Sequence, residues 1–387
     1  MDFSLSEEQQ SFRKLFADFV RKEVAKVAEH TDKAEEPPLD LLRKAALQGF
    51  LGGPIPEDYG GASLDQVSYA LLIESIAKEC LSTAAIVGMH TSFVAQTVLD
   101  FGNDEQKERW LPALASGEAI GALAMSEPDA GSDPLRIATR AVKEGDEFVL
   151  NGVKAWVGNA SIAGLLLVIA ASDPAANGRG LTAFLVEPKT PGVKIGRREP
   201  TMGLRGLPVN TIYFDGVRVP QSDRLGEDGQ GLAIGQRADK AVRVALAAAA
   251  LGSAEGALEL GRNFAIERKQ FGVPIGTKQA IGNYFADSAA EIEALRWLVM
   301  RAAWLADQKQ DNAEAASMAK LIGARVAREV ANRMLQVHGG YGFSDEYAIS
   351  KVYRDARSLD IVGGTGQLQR VALAQKVFEG SGLKIAP

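Results

Sequence analysis

The sequence predicts an α+β protein whose elements come in three blocks: helices, then strands, then helices. Apolar residues of the first 120 positions recur at spacings of three and four, as in Phe12, Phe16 and Phe19. From about Ile120 the pattern changes to short β-branched runs such as EFVLNGVKAWV and LTAFLVEP, and helical spacing returns after GEDGQGLAIG. Because strands and helices do not alternate, a doubly wound sheet is excluded. We predict an N-terminal helical domain (1–120), a central antiparallel β-domain (121–228) and a C-terminal four-helix bundle (229–387).

Local signals support these blocks. Ser6 and Gln9 have the spacing of a capping box at the start of the first helix. Gly49 stops the helix over LLRKAALQ, and long helical patterns fill EIEALRWLVMRAAWLADQ and AEAASMAKLIGARVAREVANRMLQ. The run AVRVALAAAALG predicts a helix whose small side chains allow close packing against its neighbours.

Composition limits the possible partners. The 387 residues carry a net charge of −6, which argues against a nucleic-acid or anionic membrane surface as the main partner. The start MDFSLSEEQQ is acidic and polar, and no run of about 18 apolar residues appears, so we expect a cytoplasmic protein without a membrane span. The lone Cys80 agrees with a reducing compartment.

Several kinds of catalytic site are excluded. The three histidines His30, His90 and His338 are scattered, and no Cys, His and carboxylate cluster has metal-ligand spacing. There is no G-x-S-x-G nucleophile elbow. The glycine runs VHGGYGF and GGTGQ do not lie between a strand and an opening helix, so alone they indicate turns between helices.

Six motifs in a fixed order carry more information than any one of them. They are AMSEPDAGSD (124–133), KAWVGNA (154–160), ERKQFG (267–272), LQVHGGYGF (335–343), YRDAR (353–357) and GTGQLQR (364–370). Together with PEDYGG near the N-terminus they resemble the acyl-CoA dehydrogenase family of flavoproteins over essentially the whole chain. The resemblance implies FAD as cofactor, an acyl-CoA substrate, an electron-transfer flavoprotein as acceptor and a homotetramer.

The resemblance also implies three groups of FAD contacts. The first lies along the flavin ring and contains Leu123, Met125, Ser126, Gly131, Ser132, Trp156 and Gly158. The second reaches the FAD of a neighbouring subunit and contains Arg268, Gln270 and Phe271, since a guanidinium suits a pyrophosphate. The third closes on the adenosine half and contains Gln336, Gly339 and Gly340, and Thr365 and Gln367 bind the same cofactor from the GTGQ turn. Substrate contacts are implied for Ser132, Arg243 and Gly363.

The chain departs from the family at the catalytic base. Most members carry a glutamate in this loop that removes the α-proton of the substrate, and the ungapped alignment puts Gly363 there. Some branches place the glutamate just before the residue that corresponds to Arg243, where this chain has Val242. A glycine still offers its N–H to the thioester carbonyl. Two residues are candidates for a base that replaces the missing glutamate: Asp239, which lies three residues before Val242 on the same helical face, and His90. Asp360 is a further carboxylate close in sequence.

Further departures leave three functions open. Where the family has a threonine near the flavin, this chain has Gly158. Where the family has polar residues near the substrate entrance, this chain has Leu207 and Val209. The first function is α,β-dehydrogenation of an acyl-CoA with the base at an unusual position. The second is a non-dehydrogenating reaction on a CoA thioester, such as acyl-CoA desulfination, although the arginine of that branch is missing near Thr83. The third is a non-catalytic binding subunit in a mixed tetramer with a base-bearing paralogue.

Overall fold

The N-terminal block is helical, as predicted. The computed structural model describes residues 4–173, 180–383 and 385, so the outermost limits of the predicted domains, residues 1 and 387, lie outside it. Ser6 and Gln9 form the predicted capping box. Two helices are continued through π-helical turns, at Val20–Val24 and His90–Ala95. The helices are α1 (Glu7–Phe19), α2 (Ala25–Ala34), α3 (Leu39–Leu47), α4 (Gln66–Glu79), α5 (Leu81–Met89), α6 (Gln96–Phe101) and α7 (Asp104–Ala115).

The middle block is one twisted sheet, with β1 (Ile120–Ala124), β2 (Arg140–Glu144), β3 (Glu147–Gly158), β4 (Ala163–Ala171), β5 (Leu181–Val186), β6 (Val193–Arg198), β7 (Val209–Pro220) and β8 (Arg224–Leu225). The strand order is β6-β7-β3-β2-β4-β5-β8, and β1 pairs with β4. Most neighbouring strands pair antiparallel, as predicted, but β4 runs parallel to β1 and to the first residue of β2. The long connection between β1 and β4 makes this possible, since parallel neighbours need a crossover rather than a hairpin.

The C-terminal block contains α8 (Gly231–Glu267), α9 (Gln279–Asp307), α10 (Ala313–His338), α11 (Ala348–Ala356) and α12 (Gly366–Val377), with a short hairpin of β9 (Lys269–Gln270) and β10 (Val273–Pro274). By length and composition alone α8 could cross a membrane, but 78% of its most apolar window is buried inside the protein. Burial against α4, α9 and α10 is what a core helix of a folded domain requires.

Helix α8 approaches α4 at backbone distance through two glycines. A Cβ at Gly252 would lie 2.0 Å from the carbonyl oxygen of Glu74, and one at Gly256 would lie 2.1 Å from that of Lys78. No side chain fits at such distances. The small residues of AVRVALAAAALG and the segment after it therefore fix how α8 lies against the N-terminal domain.

A buried ion pair fixes the segment that joins β1 to β2. The Lys154 ammonium group donates to Glu127 Oε1 at 2.7 Å and to the Met125 carbonyl at 3.0 Å. Glu127 also accepts the backbone N–H groups of Ala138 and Thr139 at 2.7 and 2.9 Å. Burial lowers the pKa of Lys154 to about 8, although the Glu127 carboxylate opposes that shift. The pair thus ties both ends of this segment to strand β3.

We expect Glu127→Ala to lower the free energy of unfolding by about 3–5 kcal/mol, because it leaves the buried Lys154 ammonium without its counter-ion. Urea denaturation measures this. The matched control is Glu147→Ala, which breaks an exposed pair with Arg218 and should cost no more than about 1 kcal/mol. Equal losses in the two variants would contradict the role given to the buried pair.

Candidate functional site

The loop before α12 turns through two glycines with left-handed backbone. Gly363 has φ +66° and Gly364 has φ +84°, a region that glycine enters without strain. The Gly363 N–H has no hydrogen-bond acceptor among the residues that the structure describes. The loop therefore offers a free backbone donor at the position where the sequence comparison places the missing glutamate.

The space that a side chain at position 363 would need is already filled. A Cβ there would lie 2.4 Å from Leu246 Cδ1 and 3.2 Å from Val242 Cγ1, both on α8. Val242 is itself fully buried. Positions 242 and 363, the two at which the family resemblance implies a base, are therefore surrounded by apolar atoms.

Two buried polar side chains hold the loop from the other side. The Lys320 ammonium group, on α10, donates to the Gly364 carbonyl at 2.5 Å, and Gln369 Nε2, on α12, lies 3.3 Å from the same oxygen. Burial lowers the pKa of Lys320 to about 8, while the Asp360 carboxylate acts in the opposite direction. The sequence analysis did not identify Lys320 or Gln369. A lysine within the apolar run SMAKLIG was the available signal.

Asp239 and Arg243 lie on α8 beside this loop. Arg243 Nη1 donates to Ser317 Oγ at 3.3 Å, and its Nε is buried without an acceptor in the described part of the chain. Asp239 is half-buried. Burial raises the pKa of Asp239, and the charges of Arg243 and Lys320 oppose that rise.

Two other candidate bases are occupied elsewhere. His90 is fully buried; its Nδ1 accepts the Gly121 N–H at 2.9 Å and its Nε2 lies 3.1 Å from the Leu114 carbonyl. Burial lowers the pKa of His90 to about 4, so it is a neutral structural residue, which corrects its place among the candidate bases. Asp360 Oδ2 accepts hydrogen bonds from Arg328 Nη1 at 2.6 Å and from Arg357 Nη1 at 3.1 Å, so its carboxylate is already engaged in two ion pairs.

A second region is a cleft of about 580 Å³ between the end of α8 and the end of α10. Four of the predicted cofactor residues line it: Arg268, Gln270, Gly339 and Gly340. The Arg268 guanidinium lies 5.2 Å from the ring centre of Tyr341. A Cβ at Gly339 or Gly340 would meet no atom within 4 Å, so the backbone there faces open space. Phe271, beside the cleft, is 92% exposed.

The predicted flavin-ring residues lie around the end of β1 and the middle of β3. Trp156 has φ +59° at a register shift of β3, and its side chain is 66% exposed. The Ser126 carbonyl accepts the N–H of Ala155, which joins the two strands at this point. Leu123, Met125 and Gly158 are half-buried, whereas Gly131 and Ser132 are exposed on the connecting segment. A Cβ at Gly158 would lie 2.8 Å from Met89 Sδ, so a larger residue here would require the Met89 side chain to move.

The remaining predicted residues are spread over two helix ends. Gln336 is exposed on the last turn of α10, and Gln367 is exposed on the first turn of α12. The Thr365 hydroxyl accepts the Leu368 N–H at 3.3 Å and caps α12. Leu207 is buried 3.8 Å from the Cβ position of Gly158, and Val209 is half-buried. Within residues 4–173, 180–383 and 385, no group of three His, Cys, Asp or Glu side chains could hold a metal ion.

The residues of the Arg268 cleft and the predicted flavin-ring residues around β1 and β3 fit an FAD. The Arg268 guanidinium suits a pyrophosphate, and the open glycines permit close backbone approach of a dinucleotide. The exposed indole of Trp156 presents a large apolar face beside the end of β1, which suits an extended aromatic ring.

Comparison with known proteins agrees with this arrangement. The family profiles described as Acyl-CoA dehydrogenase N-terminal, middle and C-terminal domains match residues 6–118, 122–217 and 229–378. The Bacillus subtilis protein named probable acyl-CoA dehydrogenase YngJ is 38% identical over 380 residues, which are 98% of this chain and 100% of that protein.

Two solved structures superpose on nearly the whole chain. Butyryl-CoA dehydrogenase from Megasphaera elsdenii gives a TM-score of 0.96 at 34% identity, covering 98% of this chain and 100% of the other. A chain from work on the electron transferring flavoprotein of Acidaminococcus fermentans gives 0.96 at 36% identity, with the same coverages of 98% and 100%. With all three domains matched in order and relatives aligned from end to end, the chain belongs to the acyl-CoA dehydrogenase family.

Proposed function

We propose that the protein removes the α- and β-hydrogens of an acyl-CoA thioester and passes the electrons to an electron-transfer flavoprotein, with its base at a position other than 363. The family consists of FAD-dependent enzymes. The observation that carries the proposal is the free N–H of Gly363, held at a fixed place by Lys320 and Gln369. A positioned backbone donor polarises a thioester carbonyl and makes its α-hydrogen more acidic.

The bound FAD would supply the two-electron acceptor that takes the β-hydrogen with its electron pair. This chain would hold it through Arg268, Gly339 and Gly340 at one end and Trp156 with the end of β1 at the other. Arg243, with a buried Nε that lacks an acceptor in the described residues, is the cation available for a polar group of the substrate. Leu246 and Val242 place apolar atoms against the loop.

We also propose that the protein works as an oligomer of identical subunits. Phe271 beside the cleft and Phe343 after α10 are 92% and 89% exposed. Large apolar side chains at such exposure favour burial against another chain. Their position next to Arg268 suggests that the neighbouring subunit closes the FAD cleft.

An anaerobic titration of the purified flavoprotein with straight, branched, cyclic and acidic acyl-CoAs tests the reaction. We expect at least one of them to bleach the flavin absorbance, because oxidation of the substrate reduces FAD. Spectral shifts without bleaching for the whole panel would contradict the dehydrogenase assignment. That result would favour a desulfinase-like reaction or a binding subunit that needs a paralogue. The apolar atoms of Val242 and Leu246 around position 363 are consistent with either of these, because they leave no carboxylate there.

We expect Arg268→Met to weaken FAD retention by roughly 10–100-fold, the loss typical of one hydrogen bond to a charged group. Flavin fluorescence after dilution measures the released fraction. Arg262→Met is the matched control, since Arg262 is exposed on α8, which ends just before Arg268, and does not line the cleft. Equal FAD retention in both variants would show that Arg268 does not bind the cofactor.

We expect Lys320→Met to lower the rate of flavin reduction by an acyl-CoA by up to about 10²–10³-fold, because the loop that presents the Gly363 N–H loses its anchor. Stopped-flow absorbance measures the rate. Lys376→Met, which removes only an exposed pair with Glu379, should leave the rate unchanged. If Lys320→Met reduces its flavin at the wild-type rate, the position of the Gly363 loop does not limit the reaction.

A further inference from the structure

We propose that Asp239 is the base that removes the α-proton of the substrate. This inference rests on the dehydrogenation proposed above and names the group that performs its proton transfer.

The position of Asp239 on α8 points to the reacting atoms. Gly235, Asp239, Val242 and Leu246 are spaced by four, three and four residues, so they form one stripe along one face of the helix. At the N-terminal end of that stripe, a Cβ at Gly235 would lie 2.9 Å from Met125 Sδ, just after β1. At the C-terminal end, Val242 and Leu246 lie against the Cβ position of Gly363.

Asp239 therefore lies between the predicted flavin-side residue Met125 and the carbonyl-binding N–H of Gly363. Along the helix axis it is about 4.5 Å from Val242 and about 6 Å from Gly235, at a rise of about 1.5 Å per residue. A thioester whose carbonyl accepts the Gly363 N–H and whose acyl chain runs toward Met125 would carry its α-carbon along this stripe. Asp239 is the residue of the stripe that carries an ionisable side chain.

The carboxylate of Asp239 is uncommitted. It makes no hydrogen bond or ion pair with any residue that the structure describes, although it is half-buried. Arg243, four residues later on α8, donates to Ser317 instead. By contrast, the nearby Asp360 is held by Arg328 and Arg357. A carboxylate without such partners is free to accept a proton from a bound substrate.

The surrounding charges suit a base. Burial favours the protonated form of Asp239 and so raises its affinity for a proton, while Arg243 and Lys320 keep the ionised form accessible. In the step, the Cα–H bond breaks and the proton goes to an Oδ atom of Asp239. The electron pair of that bond forms the α,β double bond, and a bound FAD would take the β-hydrogen with its own electron pair. The products would be the α,β-unsaturated thioester, a protonated Asp239 and the reduced flavin.

The test compares the wild-type holoenzyme with Asp239→Asn, Asp239→Glu and the control Glu259→Gln. Glu259 is on the same helix, and its ion pair with Lys78 is on the surface. FAD content, thermal midpoint and the spectral shift on acyl-CoA binding are recorded for each. Two rates are then measured anaerobically with the same acyl-CoA panel: flavin reduction, and α-deuterium incorporation into the acyl-CoA in D₂O by mass spectrometry.

We expect Asp239→Asn to keep FAD and substrate binding but to lose flavin reduction and α-exchange by about 10²–10⁴-fold, the usual contribution of a positioned base. Asp239→Glu should retain part of both rates because it keeps a carboxylate, and this variant decides the matter if Asp239→Asn folds poorly. Glu259→Gln should match the wild type.

The two proposals fail in different ways. If the wild type bleaches and Asp239→Asn bleaches and exchanges at the same rate, Asp239 is not the base and the dehydrogenation stands. Equal loss of both rates in Asp239→Asn and Asp239→Glu would also overturn the assignment. If the wild type neither bleaches nor exchanges with any acyl-CoA, the proposed reaction is wrong, and the role of Asp239 falls with it.

Discussion

The close contact between α8 and α4 determines where every group of the candidate site lies. Gly252 and Gly256 let α8 rest on the carbonyl groups of α4, where any side chain would collide with the backbone. This contact sets the rotation of α8 as well as its distance. The stripe from Gly235 to Leu246 consequently faces the end of β1 and the Gly363 loop, and all three domains meet along one helix. A rotation of α8 by one residue, about 100°, would turn that stripe away from both neighbours.

The second constraint is the burial of polar groups around the loop. Lys320 and Gln369 are almost inaccessible to solvent, and a buried polar side chain stabilises a fold only when it finds partners. Both find carbonyl groups of the two glycines. The left-handed backbone at positions 363 and 364 and the buried side chains therefore require each other, since each supplies what the other lacks.

Sequence patterns were enough to predict the order of the blocks and the capping box at Ser6. Those features depend on periodicity or on spacings between residues that are close together in the chain. Sequence could not show that β1 pairs in parallel with β4, because pairing partners are chosen by the whole sheet. It also could not show that both ring nitrogens of His90 bond to backbone groups. Nor could it show that Lys320, on α10, and Gln369, on α12, both reach the carbonyl groups of the loop. These contacts join residues that are distant in sequence, and nothing in the local pattern identifies the partner.

The packing at position 363 also bears on how such a chain could change over time. Leu246 occupies the volume that a side chain at position 363 would enter, and the turn is left-handed at both glycines. A change from glycine to glutamate would place a longer side chain against Leu246 and strain the backbone, while a smaller residue at 246 alone would open a void in the core. Because the two residues share one space, the effects of changing them on stability are coupled rather than additive. The shape of the core thus opposes a single substitution that would restore a carboxylate in this loop.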